Sequence, residues 1–254
     1  GKIDKVEVVF LPRHRRGHRI LPQEINHKAN ICGFKLLGVE RIISVSAVGS
    51  LKEELRPRDI VLPDQYFDRT KSSLEHTFFG NGIVAHVSFA EPTCPELRKL
   101  IAKNISAALR RSPAKDRPRL HVGKTYVNME GPAFSTRAES HAYRKMGFDI
   151  IGMTSLAEAK LCKEADICYQ AMAIVTDYDC WRETEEAVTI DIVIGNLTAS
   201  IELAKAVLVD IVKSLPAKPS CGCNSSLKNA IFTNPKVIPA HIKRKLKPII
   251  GKYV

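Results

Sequence analysis

The chain has 254 residues, enough for one large α/β domain or at most two small ones. With 44% hydrophobic and 26% charged residues its composition is that of an ordinary soluble globular protein, and no apolar run approaches the roughly 20 residues that span a bilayer. The net charge of +12 collects in residues 110–119 and 236–252, where no aromatics interleave with the cations, so it reads as solvated surface and excludes a base-stacking nucleic-acid face.

Taken in order, the elements alternate between strand and helix. Residues 6–11 (V-E-V-V-F-L) form a β-rich run ending at Pro12. Residues 24–37 suit a helix that turns Ile25, Ala29, Ile31 and Leu36 to a core. Residues 41–46 read as a buried strand closing on Ala47-Val48-Gly49-Ser50. Thr93 and Glu96 have the spacing of a capping box ahead of a helix whose apolar positions are Leu97, Leu100, Ile101, Ile105 and Ala108. Residues 125–129 are predicted as a strand, and Thr136 and Glu139 as a second capping box. Strands at residues 149–153 and 169–176 flank a helix from about Leu156. Residues 189–215 carry the clearest helical period, and after Pro216 the pattern breaks into a polar tail. The alternation predicts an α/β layer fold with a mainly parallel or mixed sheet.

Cysteine usage is uneven. Cys32, Cys94, Cys162, Cys168, Cys180, Cys221 and Cys223 are odd in number and scattered, as reduced, buried residues of a cytoplasmic protein would be. Cys221-Gly222-Cys223 is the one close pair, and a lone C-x-C lacks the second half of a zinc site, so no metal is expected.

Polar clusters fall where α/β sheets place ligands, at the carboxyl ends of strands. Residues 13–19 (R-H-R-R-G-H-R) offer guanidinium donors to an anion such as phosphate, and read equally as a basic surface loop. Ser46 to Ser50 and Met153-Thr154 present hydroxyls and amides that suit an anion, although small residues are also common turn material. Asp177 and Asp179 project to the same side, as a site gripping a base with a ring nitrogen and an exocyclic amine requires. A capping or surface pair is the competing reading.

Jointly, the ordered strings F-L-P-R-H, S-A-V-G-S-L, D-I-V-L-P-D-Q, A-H-V-S-F-A-E-P, E-G-P-A-F-S-T-R-A-E-S, I-G-M-T, E-A-K-L and V-T-D-Y-D-C-W closely resemble the 5′-methylthioadenosine phosphorylases, a group of trimeric purine nucleoside phosphorylases. The resemblance runs over residues 1–215, leaving 216–254 as a C-terminal extension. It implies a mixed central β-sheet flanked by helices, a homotrimer, and inorganic phosphate as co-substrate with no organic cofactor or metal. The reaction it implies is phosphorolysis of 5′-methylthioadenosine, in methionine and purine salvage.

Position by position, the resemblance makes Arg13, His14, Ser46, Ala47 and Thr154 phosphate contacts. Met153 lies against the ribose, and Phe134 with Ser135 against the purine. Asp177 and Asp179 read adenine at N7 and the 6-amino group, with Asp177 as the acid. Ile190, Val193 and Ile194 line the methylthio pocket, and His86 comes from a neighbouring subunit.

The match also departs from the family. The first strand and its Gly-rich phosphate loop have no counterpart before Val6, and Arg15 and Arg58 stand where glycine is usual. Two alternatives therefore stay open: an enzyme acting mainly on adenosine or inosine, and a truncated, non-catalytic member that binds nucleosides or forms oligomers.

Overall fold

The computed structural model describes residues 1–71, 73–111, 113, 117–182 and 190–254, apart from the side chains of Ser73, Ile190 and Ile192. The β-rich run at residues 6–11 does not enter the main sheet. Only β2 (Val6–Glu7) is a strand, paired antiparallel with β1 (Lys2–Ile3). A bond from Val8 N to Gly1 O at 2.9 Å closes this ribbon, and beyond it Val9, Phe10 and Leu11 lie exposed with no strand beside them.

Helix α1 (His27–Leu36) starts later than its apolar residues suggest, because Asn26 caps it by accepting from Ala29 N at 3.0 Å. Ile25 and Ile31 are buried as expected, whereas Ala29 and Leu36 face solvent and Phe34 packs inward instead.

Five strands form the centre: β3 (Arg41–Ser50), β4 (Ile60–Arg69), β5 (Leu120–Met129), β6 (Ile150–Gly152) and β7 (Cys168–Asp177). They close into a barrel in the order β3-β6-β5-β4-β7. The β3–β7, β4–β5 and β5–β6 pairs are parallel, and the β3–β6 and β4–β7 pairs antiparallel, so the central sheet is mixed. Hydrogen-bonded on both sides, β7 is buried from Cys168 through Thr176, which explains its unbroken apolar run. Val48, Leu55, Val61, Tyr126, Ile150, Ala173 and Val175 make up one buried cluster among the strands.

Helices cover the barrel in two groups. On one side α2 (Pro95–Arg111) and α5 (Ile190–Ser214) pack Leu97, Ile101, Ile105, Val207 and Ile211 against β4 and β7. Thr93 does not cap α2. Pro95 fixes the first turn, so the capping position falls on Cys94, whose Sγ accepts from Leu97 N at 3.4 Å. The Thr93 hydroxyl accepts from Arg98 instead, at 2.9 Å. The second expected box is present: α3 (Arg137–Lys145) opens on Thr136, with Glu139 bonded back to it.

On the other side α1 and α4 (Ser155–Glu164) meet α6 (Ala240–Lys245) and α7 (Lys247–Ile250). The segment after Pro216 is therefore not a solvated tail, since Leu227, Ala230, Ile238, Ile242, Leu246, Ile249 and Ile250 are buried in the same cluster as Ile31 and Leu161. Cys94, Cys168, Cys221 and Cys223 are not scattered in space either. Their Sγ atoms all lie within 4.8 Å of one another.

Candidate active site

A site opens where β3 and β6 separate. The strands pair only through Gly49–Ile151 and Ser50–Ile150. Continuing that antiparallel register runs Met153 and Thr154 back toward Ala47 and Ser46, but no ladder forms there. Ser46 and Ala47 are thus mid-strand residues paired with β7 on one side only, rather than a strand end. Unpaired backbone on the other side is available to a ligand. A register shift between Val48 and Gly49 bends β3 at this point, a device common beside binding sites.

Around the opening, buried polar atoms converge. Arg13 turns inward and donates to Ser44 Oγ at 3.2 Å and to Val45 O at 3.1 Å, with Glu158 Oε1 3.6 Å from its Nε. Burial works against the Arg13 charge, but Glu158, Tyr169 and Tyr126 outweigh it and raise its pKa. A chain of hydroxyls holds Glu158: Tyr169 donates to Glu158 Oε2 at 2.8 Å, Ser155 Oγ joins Tyr169 at 2.8 Å, and Tyr66 joins Ser155 at 2.6 Å. Among the described residues, the buried Arg13 Nε, Ser46 Oγ and Tyr126 hydroxyl make no well-formed hydrogen bond, Arg13 Nε having only the 3.6 Å ion pair with Glu158. Two hydroxyls so placed, Ser46 Oγ and Tyr126 OH, would cost about 1–3 kcal/mol each if nothing ever met them. Gly152 is required here, because a Cβ would collide with the Tyr126 hydroxyl.

His14 lies beside Arg13. Its Nδ1 is 2.8 Å from Ile20 O, which only accepts, so Nδ1 carries the proton and Nε2 is left as the acceptor. Burial, with His18 and Arg13 adding to it, lowers the His14 pKa and keeps the ring neutral near pH 7. Arg15 sits at φ +60° and Arg58 at φ +75°, so both take the left-handed conformation for which glycine is the usual residue.

The acids lie at the end of β7. Asp177 Oδ1 accepts from Asp179 N at 2.8 Å and its Oδ2 from Thr176 Oγ1 at 2.7 Å. Gly49 lets them close on β3, since a Cβ there would stand 3.0 Å from Asp177 Oδ1 and 3.4 Å from Asp179 Cβ. Burial raises the Asp179 pKa, with Ser140, the Cys180 amide and Ser135 opposing the shift. Cys180 Sγ, 3.2 Å from Ser135 O, ties this turn to the loop carrying Phe134, whose ring is exposed. Asn196 of α5 donates to Thr176 O at 2.7 Å and so ties that helix to the strand end, while Ile194 is exposed. The Ile190 side chain lies outside the described residues.

A cleft lined by Ile25, His27, Thr70, His76, Glu130 and Met153 adjoins the opening. Asn128 fixes Met153 by donating to its carbonyl at 3.1 Å. Thr154 is buried at the start of α4 and its hydroxyl does not cap that helix. His86 is apart from this assembly, with its amide on Ala230 O and its ring 5.1 Å from that of Phe232.

The structure thus gathers Arg13, His14, Ser46, Ala47, Met153 and Thr154 at one opening, and Phe134, Ser135, Asp177 and Asp179 next to it, with Val193 and Ile194 on the helix that Asn196 ties to the end of β7. Glu158, Tyr126 and Asn128 complete the arrangement without having been singled out in the sequence. Glu158 belongs to the string E-A-K-L, where an acid among apolar helix positions was the available signal.

A cationic, donor-rich opening beside a pair of acids defines an α/β enzyme that handles an anion and a polar base together. Residues 1–213 match the profile of the phosphorylase superfamily, and the chain belongs to that family. Among curated relatives, the S-methyl-5′-thioadenosine phosphorylase of Koribacter versatilis is 54% identical, covering 100% of this chain and 84% of its own. That of Geobacter sulfurreducens is 50% identical over 100% of this chain and 86% of its own. A methylthioadenosine phosphorylase from an antarctic soil metagenomic library superposes with a TM-score of 0.87 at 45% identity, covering 94% of this chain and 82% of the other. A variant adenosine/methylthioadenosine phosphorylase of Schistosoma mansoni, in complex with methylthioadenosine, superposes with a TM-score of 0.77 at 35% identity, over 86% of this chain and 80% of the other.

Proposed function

We propose that the chain catalyses phosphorolysis of 5′-methylthioadenosine to adenine and 5-methylthioribose 1-phosphate. The observation that carries this reading is the acid pair Asp177 and Asp179 beside Arg13 and the buried hydroxyls Ser46 Oγ and Tyr126 OH, in a chain half identical to curated enzymes of that name.

In this reading phosphate sits in the opening between β3 and β6, met by Arg13, Ser46, the Ala47 amide and Thr154. Neutral His14 accepts from a protonated phosphate oxygen through Nε2. The sugar lies over Met153, adenine lies against Phe134 and Ser135, and the methylthio group meets Ile190, Val193 and Ile194. A phosphate oxygen bonds to C1′ as the C1′–N9 bond breaks, and its electron pair leaves with the purine. Asp177 delivers a proton to N7, so adenine departs neutral. Asp179 faces the 6-amino group. A 6-oxopurine would set a carbonyl oxygen against that carboxylate, and the mismatch rejects inosine. Three copies of the chain assemble, and His86 reaches a neighbour's 5′ substituent. Phosphate is the only co-substrate.

The test is release of free adenine from methylthioadenosine with and without phosphate, with adenosine and inosine compared. Phosphate-dependent release, fastest with methylthioadenosine, is expected. Asp177→Asn should lower kcat by about 10²-fold or more while circular dichroism stays unchanged. Undiminished turnover in that variant would remove Asp177 as the acid, and no adenine from folded protein would overturn the reading.

A further inference from the structure

Four of the seven cysteines converge outside the site just described. Cys94 stands at the head of α2, Cys168 opens β7, Cys221 precedes the turn Gly222–Ser225, and Cys223 lies within it. Cys94 and Cys168 are buried, the other two partly so, and all four carry free thiols. The four Sγ atoms lie within 4.8 Å of one another, with Cys168 and Cys221 at 3.2 Å. A tetrahedral ion with Zn–S bonds of about 2.3 Å needs sulfur–sulfur edges of about 3.8 Å, and these distances bracket that value. The cage is sized for a single ion.

We infer that Cys94, Cys168, Cys221 and Cys223 form a structural zinc site that pins the segment after Pro216 to the barrel. Four thiols lose four protons, four Zn–S bonds form, and no electron changes hands. Closed tetrathiolate sets of this kind leave no open coordination position, so the ion is structural. Packing alone accounts for one buried thiol such as Cys162, but not for four meeting from three distant segments. The surroundings fit the assignment. The Leu97 amide already donates to Cys94 Sγ at 3.4 Å, the kind of outer hydrogen bond that steadies a ligating thiolate. Apolar neighbours Ile43, Val45, Leu100 and Leu215 pack against the same cluster and keep water away. Loop closure explains the benefit, because one ion joins points 74 and 53 residues apart along the chain (168 − 94 and 221 − 168).

The full chain, expressed with zinc in the medium and purified under reducing conditions, should carry about one zinc per chain by elemental analysis. Cys221→Ser with Cys223→Ser should reduce that to below about one-tenth and lower Tm, while Cys32→Ser keeps the metal. Should the double variant fail to fold, cobalt substituted into the unmutated chain decides the matter through its tetrahedral tetrathiolate absorption. Protein that is zinc-free yet reduced, that holds iron instead, or that loses two hydrogens in mass per bridge under non-reducing conditions would overturn the assignment.

Discussion

His27 shows how one buried side chain sets a pH limit on the fold. It lies at the first turn of α1, 8% exposed, with its ring edge-on to His76 at 6.4 Å. Burial lowers its pKa to about 4; Glu158 opposes the shift, while His76, Arg13 and His14 reinforce it. Above pH 6.5 the ring is neutral folded or unfolded, and the fold has its full stability. Between pH 6.5 and 4 the unfolded chain takes up a proton that the folded chain refuses, so stability falls by up to about 3 kcal/mol and then levels off. His27→Leu should flatten the decline of Tm over that window relative to the parent. An unchanged decline would place the acid sensitivity in other groups. At this scale the sequence singled out charged candidates such as Arg13 and Asp177, which the structure places at the opening and at the end of β7. It did not reveal Tyr126 or Glu158, because their importance lies in being buried next to Arg13, and burial is a property of the closed barrel.

The turn between β3 and β4 carries a conflict within a single element. Arg58 sits at φ +75°, donates its amide to Val175 O at 2.7 Å, and buries its Nε without a hydrogen-bond partner among the described residues. Holding a non-glycine residue there costs about 1–2 kcal/mol, whereas glycine would add about 0.5–1 kcal/mol of unfolded-chain entropy. Arg58→Gly should therefore stabilise the protein by about 0.5–1 kcal/mol, read as a higher Tm, provided the guanidinium stem contributes little packing. A lower Tm would show that the stem outweighs the backbone strain. Helices α2 and α5 were legible because their apolar residues repeat at helical spacing, and β7 because burial on both faces leaves it an unbroken apolar run. The run at residues 6–11 misled: a β-rich composition specifies a strand only where a partner edge exists, and Val9 to Leu11 have none. Thr93 misled by one residue, since Pro95 rather than side-chain chemistry decides where α2 begins.

At the scale of the whole molecule, the question is whether residues 216–254 form an accessory or part of the structural unit. Their polar composition suggested an extension, yet they bury Leu227 and Ile250 completely against residues from α1, α4 and the start of β7. Asp166 reinforces the junction by accepting from Leu227 N at 2.9 Å and from the Tyr253 hydroxyl at 2.5 Å. Alternation could not reveal this, because short helices such as α6 and α7 hold too few turns for a period to emerge. We propose that the segment and the barrel unfold as one. Ile250→Ala deletes a fully buried side chain and should cost about 2–5 kcal/mol. In calorimetry a coupled structure loses that amount from one transition, whose midpoint shifts down intact. A separate unit would instead show a new low-temperature transition while the main peak stays in place. A shifted single transition is the expected result, since the cavity opens in the core that Ile31 and Leu161 share.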